Sequence, residues 1–167
     1  GSGLVFAGIN YNKIDSFHQK DVLKQMISGN FRIGKILHKL NTLSCTDVTG
    51  FGLANHLINL INRNNNSIGF SIKLSNVPTF KGVDQCLKMN VRSTFFEQNY
   101  QSAKNFICFN KNLTSKKEVL FDPQTVGGLL FVISKNSKKN VLNLLKENEV
   151  EYSIIGSVDK YKPVINI

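Results

Sequence analysis

The chain has 167 residues, 41% hydrophobic and 19% charged, with a formal net charge of +10. That length suits one domain, residues 1–167, with a core adequate to fold alone. The composition describes a soluble globular protein: no apolar run approaches a membrane span, and the start lacks a signal peptide's charged, apolar and cleavage regions. The positive charge invites a nucleic-acid reading. It is mostly Lys scattered among Asn, with only Arg32, Arg63 and Arg92 able to make forked contacts, so nucleic acid is not expected as a partner. The charge reads as compositional bias with some attraction for anionic substrates. Cys45, Cys86 and Cys108 are odd in number and far apart, without C-x-x-C spacing or a His at a zinc-site interval. Neither a disulfide scaffold nor a structural zinc is expected, and reduced thiols in the cytoplasm are the expectation. Cys45 is read as a small buried filler.

In chain order, Leu4 to Ile9 is an apolar run fit for a buried strand, and Tyr11 to Gln19 is polar and turn-like. Asp21 is expected to cap a helix carrying Val22, Leu23, Met26 and Ile27 on one face. Gly29-Asn30 breaks it, and a second helix shows Phe31, Ile33, Ile36, Leu37 and Leu40. His38 on that helix reads as a surface or packed histidine. A short approach (Thr42, Leu43, Cys45) leads to the stretch Ser44 to Leu53, and an amphipathic helix over Leu53 to Arg63 follows, closed by Asn64-Asn65-Asn66. Ile68, Phe70, Ile72 and Leu74 alternate with smaller or polar residues, the clearest strand pattern in the chain. Pro78 ends it, and Val83, Cys86 and Leu87 mark a short helix. Asn90 to Thr114 has no steady period; its aromatic group (Phe95, Phe96, Tyr100, Phe106, Phe109) is read as a loop packed over a sheet rather than a base-stacking platform. Lys116-Lys117 reads as a polar loop. Asp122-Pro123 and Gly127-Gly128 are turn signals leading into Leu129 to Ile133, an interior strand. A helix (Val141, Leu142, Leu144, Leu145), a strand over Tyr152 to Val158 and a last strand near Val164 to Ile167 complete an α/β (α+β) chain with a mixed sheet covered by helices.

The chemistry concentrates in Ser44 to Leu53, which packs a carboxylate, two threonine hydroxyls and two glycines into one strand–loop–helix turn. Glycines there let backbone N–H groups approach a ligand, and a helix start carries partial positive charge suited to phosphate. Asp47 at the loop mouth suits Mg²⁺, which commonly takes one or two carboxylates plus phosphate oxygens. The competing reading is a helix cap, with Asp47 or Thr49 satisfying free N–H groups and Gly50 easing the turn. Composition and spacing leave both open.

Two long segments narrow the choice. Thr46-Asp47-Val48-Thr49-Gly50-Phe51-Gly52-Leu53 followed by His56-Leu57 resembles the T-D-[VI]-T-G-F-G-L-x-x-H-L motif of the selenophosphate synthetase (selenide, water dikinase) family. Leu120 to Leu130 resembles that family's D-P-Q-T-S-G-G-L-L segment, with Val126 where Ser is usual, and Gly1-Ser2-Gly3-Leu4 resembles the Gly-x-Gly start of its second domain. The resemblance covers nearly the whole chain. It implies the C-terminal α/β domain of the aminoimidazole ribonucleotide synthetase superfamily, with an N-terminal ATP-binding domain as partner and a homodimer when full length. It implies an activity that makes selenophosphate from selenide and ATP, releasing AMP and phosphate, with Mg²⁺ and no membrane. The family's reactive Cys or selenocysteine, its Lys and most nucleotide contacts belong to the N-terminal part, so no catalytic residue is expected here and the domain alone is expected to be inactive. The motif's metal-ligand aspartate falls on Asp47, and Thr46, Thr49, Gly50 and Gly52 fall on its remaining positions as nucleotide-binding candidates. His56 also matches and is read as structural. Asn55 stands where the family usually has Gly, and Arg92 to Asn99 departs from the usual Gly-rich pattern. The alternatives are another superfamily member, such as a purine-pathway synthetase or a hydrogenase-maturation protein, or a basic RNA- or protein-binding module.

Overall fold

The computed structural model describes residues 1–40, 42, 44–109, 115–160 and 163–167, with the side chain of Ser115 left aside. Leu43 and residues 110–114, which enter the readings above, lie outside the described residues. The helices are α1 (Ser2–Asn10), α2 (Gln19–Ser28), α3 (Phe31–His38), α4 (Gly52–Arg63), α5 (Val83–Lys88), α6 (Phe96–Ala103) and α7 (Lys138–Glu147). The strands are β1 (Ser44–Asp47), β2 (Ile68–Ile72), β3 (Ile107–Cys108), β4 (Leu129–Val132), β5 (Gly156–Lys160) and β6 (Ile165–Asn166).

Two sheets form where one was expected. β3, β6, β2 and β5 lie side by side in that order, parallel except for the antiparallel β2–β5 pair. β1 and β4 make a separate antiparallel ribbon. α4 packs against β2 and β6 and supplies the centre of the core, with Ala54, Leu57, Leu60 and Ile61 nearly inaccessible. Its apolar stripe recurs at three- and four-residue steps, and each buried Leu or Ile in it contributes roughly 1.5–3 kcal/mol as an upper estimate.

Several expectations are corrected. Leu4 to Ile9 is helical, not a strand. Leu4, Val5 and Gly8 form one buried helical stripe, and short apolar runs do not distinguish the two periods. Asp21 does not cap α2; the helix continues from a 3₁₀ turn whose cap is Asp15, which accepts from the Phe17 N–H at 2.8 Å. The expected inner face of α2 is only part inner, since Val22 is buried while Leu23 and Ile27 are exposed, as is Phe31 of α3. The aromatic group is not one loop: Phe96 and Tyr100 lie on α6, Phe106 ends a 3₁₀ turn and Phe109 follows β3, and Phe96, Tyr100 and Phe109 converge edge-on upon Phe121. Lys116 and Lys117 lie in a 3₁₀ segment, Ser115–Phe121. The strand expected from Tyr152 starts only at Gly156, opposite the end of its partner β2 at Ile72.

β4 is half-buried rather than interior, although apolar on both faces. Alternation explains this. Leu130 and Val132 pack on the main core, whereas Phe131 and Ile133 pack on a smaller cluster around Ile36, Val141 and Leu145 of α3 and α7. The ribbon is therefore wedged between two apolar bodies, and its loop end projects from them.

Candidate functional site

The two motif stretches meet at that end. β1 alternates, with Ser44 and Thr46 half-buried and Cys45 and Asp47 exposed on the opposite face. Beyond Asp47, which pairs with Leu129, the ladder continues out of regular register. The Val48 N–H donates to the Gly128 carbonyl at 3.1 Å, the Gly127 N–H to the Val48 carbonyl at 3.1 Å, and the Gln124 N–H to the Thr49 carbonyl at 3.1 Å. Two glycines permit this approach. A Cβ on Gly127 would collide with the Val48 carbonyl oxygen. Gly52 has φ +74°, and a Cβ there would stand 2.8 Å from the Leu120 carbonyl oxygen and 2.9 Å from the Phe121 carbonyl carbon. Glycine at 52 answers both constraints, conformational and steric.

Side chains grip the turn from below. His56, one turn into α4 and buried, accepts the Thr49 N–H on Nε2 at 3.0 Å, with the Thr49 hydroxyl at 3.2 Å from the same nitrogen. An Nε2 that accepts a backbone N–H carries no proton, so the ring is neutral with its hydrogen on Nδ1, 3.5 Å from Thr46 Oγ1. Burial pushes the His56 pKa below its ordinary value, opposed in part by the charge of Asp47. Asn99, buried on α6, donates through Nδ2 to the carbonyls of Gly50 at 2.8 Å and Phe121 at 3.0 Å. Asn55 Nδ2 donates to the carbonyls of Phe51 and Asn99, and Asn30 Nδ2 to that of Gly127 at 2.7 Å.

The start of the chain joins the same frame. Ser2 donates through its N–H and hydroxyl to Gln124 Oε1, Gln124 Nε2 donates to the buried Asp122 carboxylate at 2.8 Å, and the Gly3 N–H donates to the Pro123 carbonyl. Asp122 is inaccessible to solvent and Pro123 and Gln124 are half-buried, so this end of the segment braces the loop from beneath, while Thr125 and Gly128 are exposed beside it.

Of the residues singled out, Thr46, Asp47, Thr49, Gly50 and Gly52 all fall on this one turn, with Asp47 and Gly50 exposed. The cap reading is corrected: α4 begins after Phe51 with no side-chain hydrogen bond to its first N–H groups, and the Thr49 hydroxyl faces His56 instead. Asp47 has no ion-pair partner among the described residues, and the Gly50 and Phe51 N–H groups meet no acceptor there. Cys45 is exposed and not a buried filler, because it shares the outer face of β1 with Asp47. Desolvation first and the Asp47 charge second push its thiol up, away from a reactive thiolate. Among the described residues no three His, Cys, Asp or Glu side chains cluster to enclose a metal. Asp47 alone fits one share of a Mg²⁺ site, since that ion keeps waters and takes its remaining ligands from phosphate or another carboxylate. The anchoring roles of Asn99, Asn55 and Asn30 escaped the sequence reading; a side-chain amide gives no signal until the fold brings it under a carbonyl.

No helix among the described residues is long and apolar enough to cross a membrane. Residues 19–165 match the family model described as AIR synthase related protein, C-terminal domain. Among curated proteins, the chain is similar to the selenide, water dikinase of Campylobacter jejuni, 31% identical over 158 residues, covering 95% of this chain and 45% of that protein. It is likewise similar to those of Aliarcobacter butzleri, 32% identical with 95% and 46% covered, and Agathobacter rectalis, 31% identical with 87% and 42% covered. The chain thus spans just under half the length of the curated relatives it matches. With the family model matched along residues 19–165, on a mixed sheet packed by helices and a braced loop, the chain belongs to the AIR synthase related protein family, C-terminal domain.

Proposed function

We propose that residues 1–167 form the C-terminal domain of a selenophosphate synthetase, which converts selenide, ATP and water to selenophosphate, AMP and phosphate. The observation that carries this reading is the turn itself: both motif stretches converge on it, and it presents one exposed carboxylate beside backbone N–H groups, with no ion-pair partner or acceptor for them among the described residues. The names of the similar proteins support it, and the uncovered half of their length leaves room for an ATP-binding domain. In that assembly Thr46, Thr49, Gly50 and Gly52 form the nucleotide-facing turn and Asp47 is a Mg²⁺ ligand. Bound Mg²⁺ would neutralise charge developing on the phosphates. The chain's own part is to hold the carboxylate still and to aim N–H dipoles at the same charge. A lone carboxylate holds Mg²⁺ poorly, so the other ligands come from the N-terminal domain and chemistry requires closure of the two. The full-length enzyme is a cytoplasmic homodimer in this reading.

The test is Asp47→Asn, made both in this chain and in the full-length enzyme. Melting of the chain should move little, because Asp47 is exposed and caps nothing. Selenide-dependent AMP formation should fall by about 10²–10³-fold, in line with loss of several kcal/mol of metal-mediated stabilisation. Wild-type turnover of the variant at low Mg²⁺ would overturn the assignment.

A further inference from the structure

The buried amide of Asn99 touches both motif stretches at once. Only 4% of the residue is exposed, and its Nδ2 donates to Gly50, in the loop, and to Phe121, in the brace. The backbone carbonyl of Asn99 accepts from Asn55 Nδ2, and Asn55 Oδ1 accepts from the Ser102 hydroxyl, so the Asn55 side chain ties α4 to α6. The peptide unit explains what this arrangement accomplishes. In a trans peptide the C=O and the following N–H point in opposite directions. Pulling the Gly50 carbonyl inward onto Asn99 therefore turns the Phe51 N–H outward, where it meets no acceptor among the described residues. Gly50 itself has open space on its Cβ side and no left-handed φ, so nothing intrinsic to that residue fixes the plane. The external amide does.

We infer that Asn99 is a positioning residue for the phosphate-facing turn: it sets the Gly50–Phe51 peptide plane relative to the Leu120–Phe121 brace and so aims the turn's N–H groups. This rests on the functional reading above, and it extends that reading to a side chain outside both motifs. A merely structural Asn would matter only for stability, since two unsatisfied carbonyls destabilise a fold wherever they are buried. A positioning Asn matters for rate at temperatures where every variant is fully folded.

Asn99→Ala is compared with Asn64→Ala, which removes a side-chain hydrogen bond to the Leu60 carbonyl at the far end of the same α4. In ¹⁵N-labelled chain, Asn99→Ala should shift the Gly50 and Phe51 amide signals, while Asn64→Ala leaves them in place. In the full-length enzyme, well below the melting temperature of either variant, kcat for selenide-dependent AMP formation should fall at least tenfold in Asn99→Ala with KM for ATP within threefold. Asn64→Ala should stay within twofold in both. Asn99→Leu fills nearly the same volume without donors or a buried charge, serves where the alanine variant does not fold, and should reproduce the kcat loss. Unmoved amide signals, a kcat within twofold of wild type, or an equal loss in Asn64→Ala overturns the inference. A wild-type full-length enzyme that makes no selenide-dependent AMP fails the functional reading instead, and takes the role of Asn99 in that reaction with it.

Discussion

Val126 occupies φ +50°, a conformation that crowds any L side chain and a β-branched one most. It is held there because its neighbour Gly127 must lie against Val48. Asn visits this region more readily without glycine's extra freedom in the unfolded chain. Val126→Asn should therefore stabilise the chain by about 0.5–1 kcal/mol, seen as a rise in melting temperature of roughly 1–4 °C. His56 supplies the second single-residue prediction. Its folded pKa lies below the unfolded value of about 6.5, so between the two the unfolded chain binds the additional proton. The neutral-ring contribution is complete above pH 6.5 and is lost as pH falls through the folded value, when a proton on Nε2 displaces the Thr49 N–H. Thermal melts from pH 7.5 to 5 should show a downward slope of at most ~1.4 kcal/mol per pH unit from this group. His56→Asn should be less stable at pH 7.5, with the gap to wild type narrowing as pH falls.

At the scale of elements, the join between the β1–α4 turn and the brace decides whether the candidate site keeps its shape. Gly52→Ala meets both a left-handed φ and the Leu120–Phe121 backbone, and should destabilise by roughly 2–4 kcal/mol. Gly50→Ala, two residues earlier, faces open space and should change stability by less than about 0.5 kcal/mol. Chemical denaturation of the pair checks the contrast. The sequence distinguishes neither glycine from the other, since both look like turn residues; the left-handed φ of Gly52 and the approach of Leu120 and Phe121 separate them. By contrast, α4, β2, α5 and α7 were legible because each buries one face, and a one-sided environment leaves its period in the sequence. α1 was misread because six apolar residues satisfy either period, and the strand from Tyr152 because its length is set by its partner. The candidate turn was legible as a motif, but its supports were not. Carbonyl acceptors have no letter code, so Asn99 and Asn30 look like any other Asn.

At the scale of the molecule, the proposed function makes the chain one half of a reaction surface. Asp47 is one carboxylate, Cys45 is an exposed but unactivated thiol, and no metal-enclosing cluster occurs among the described residues. The purified chain should therefore form no AMP from ATP in the presence of selenide and Mg²⁺. AMP above a no-protein control, followed chromatographically, would show that the chemistry does not need the second domain.

The long-range supports of the turn carry a consequence for biosynthesis. Ser2 meets Gln124 across 122 positions, and Asn99 reaches Gly50 across 49. A ribosome adding 5–20 residues per second needs about 4–16 seconds for the roughly eighty residues that separate Asp47 from its partner Leu129. Throughout that interval the nascent Thr46-to-Gly52 segment has neither the brace nor, at first, the α6 amide to hold it. Its shape is inherited from residues not yet made, and translation that stalls between the two segments yields helices without a working turn.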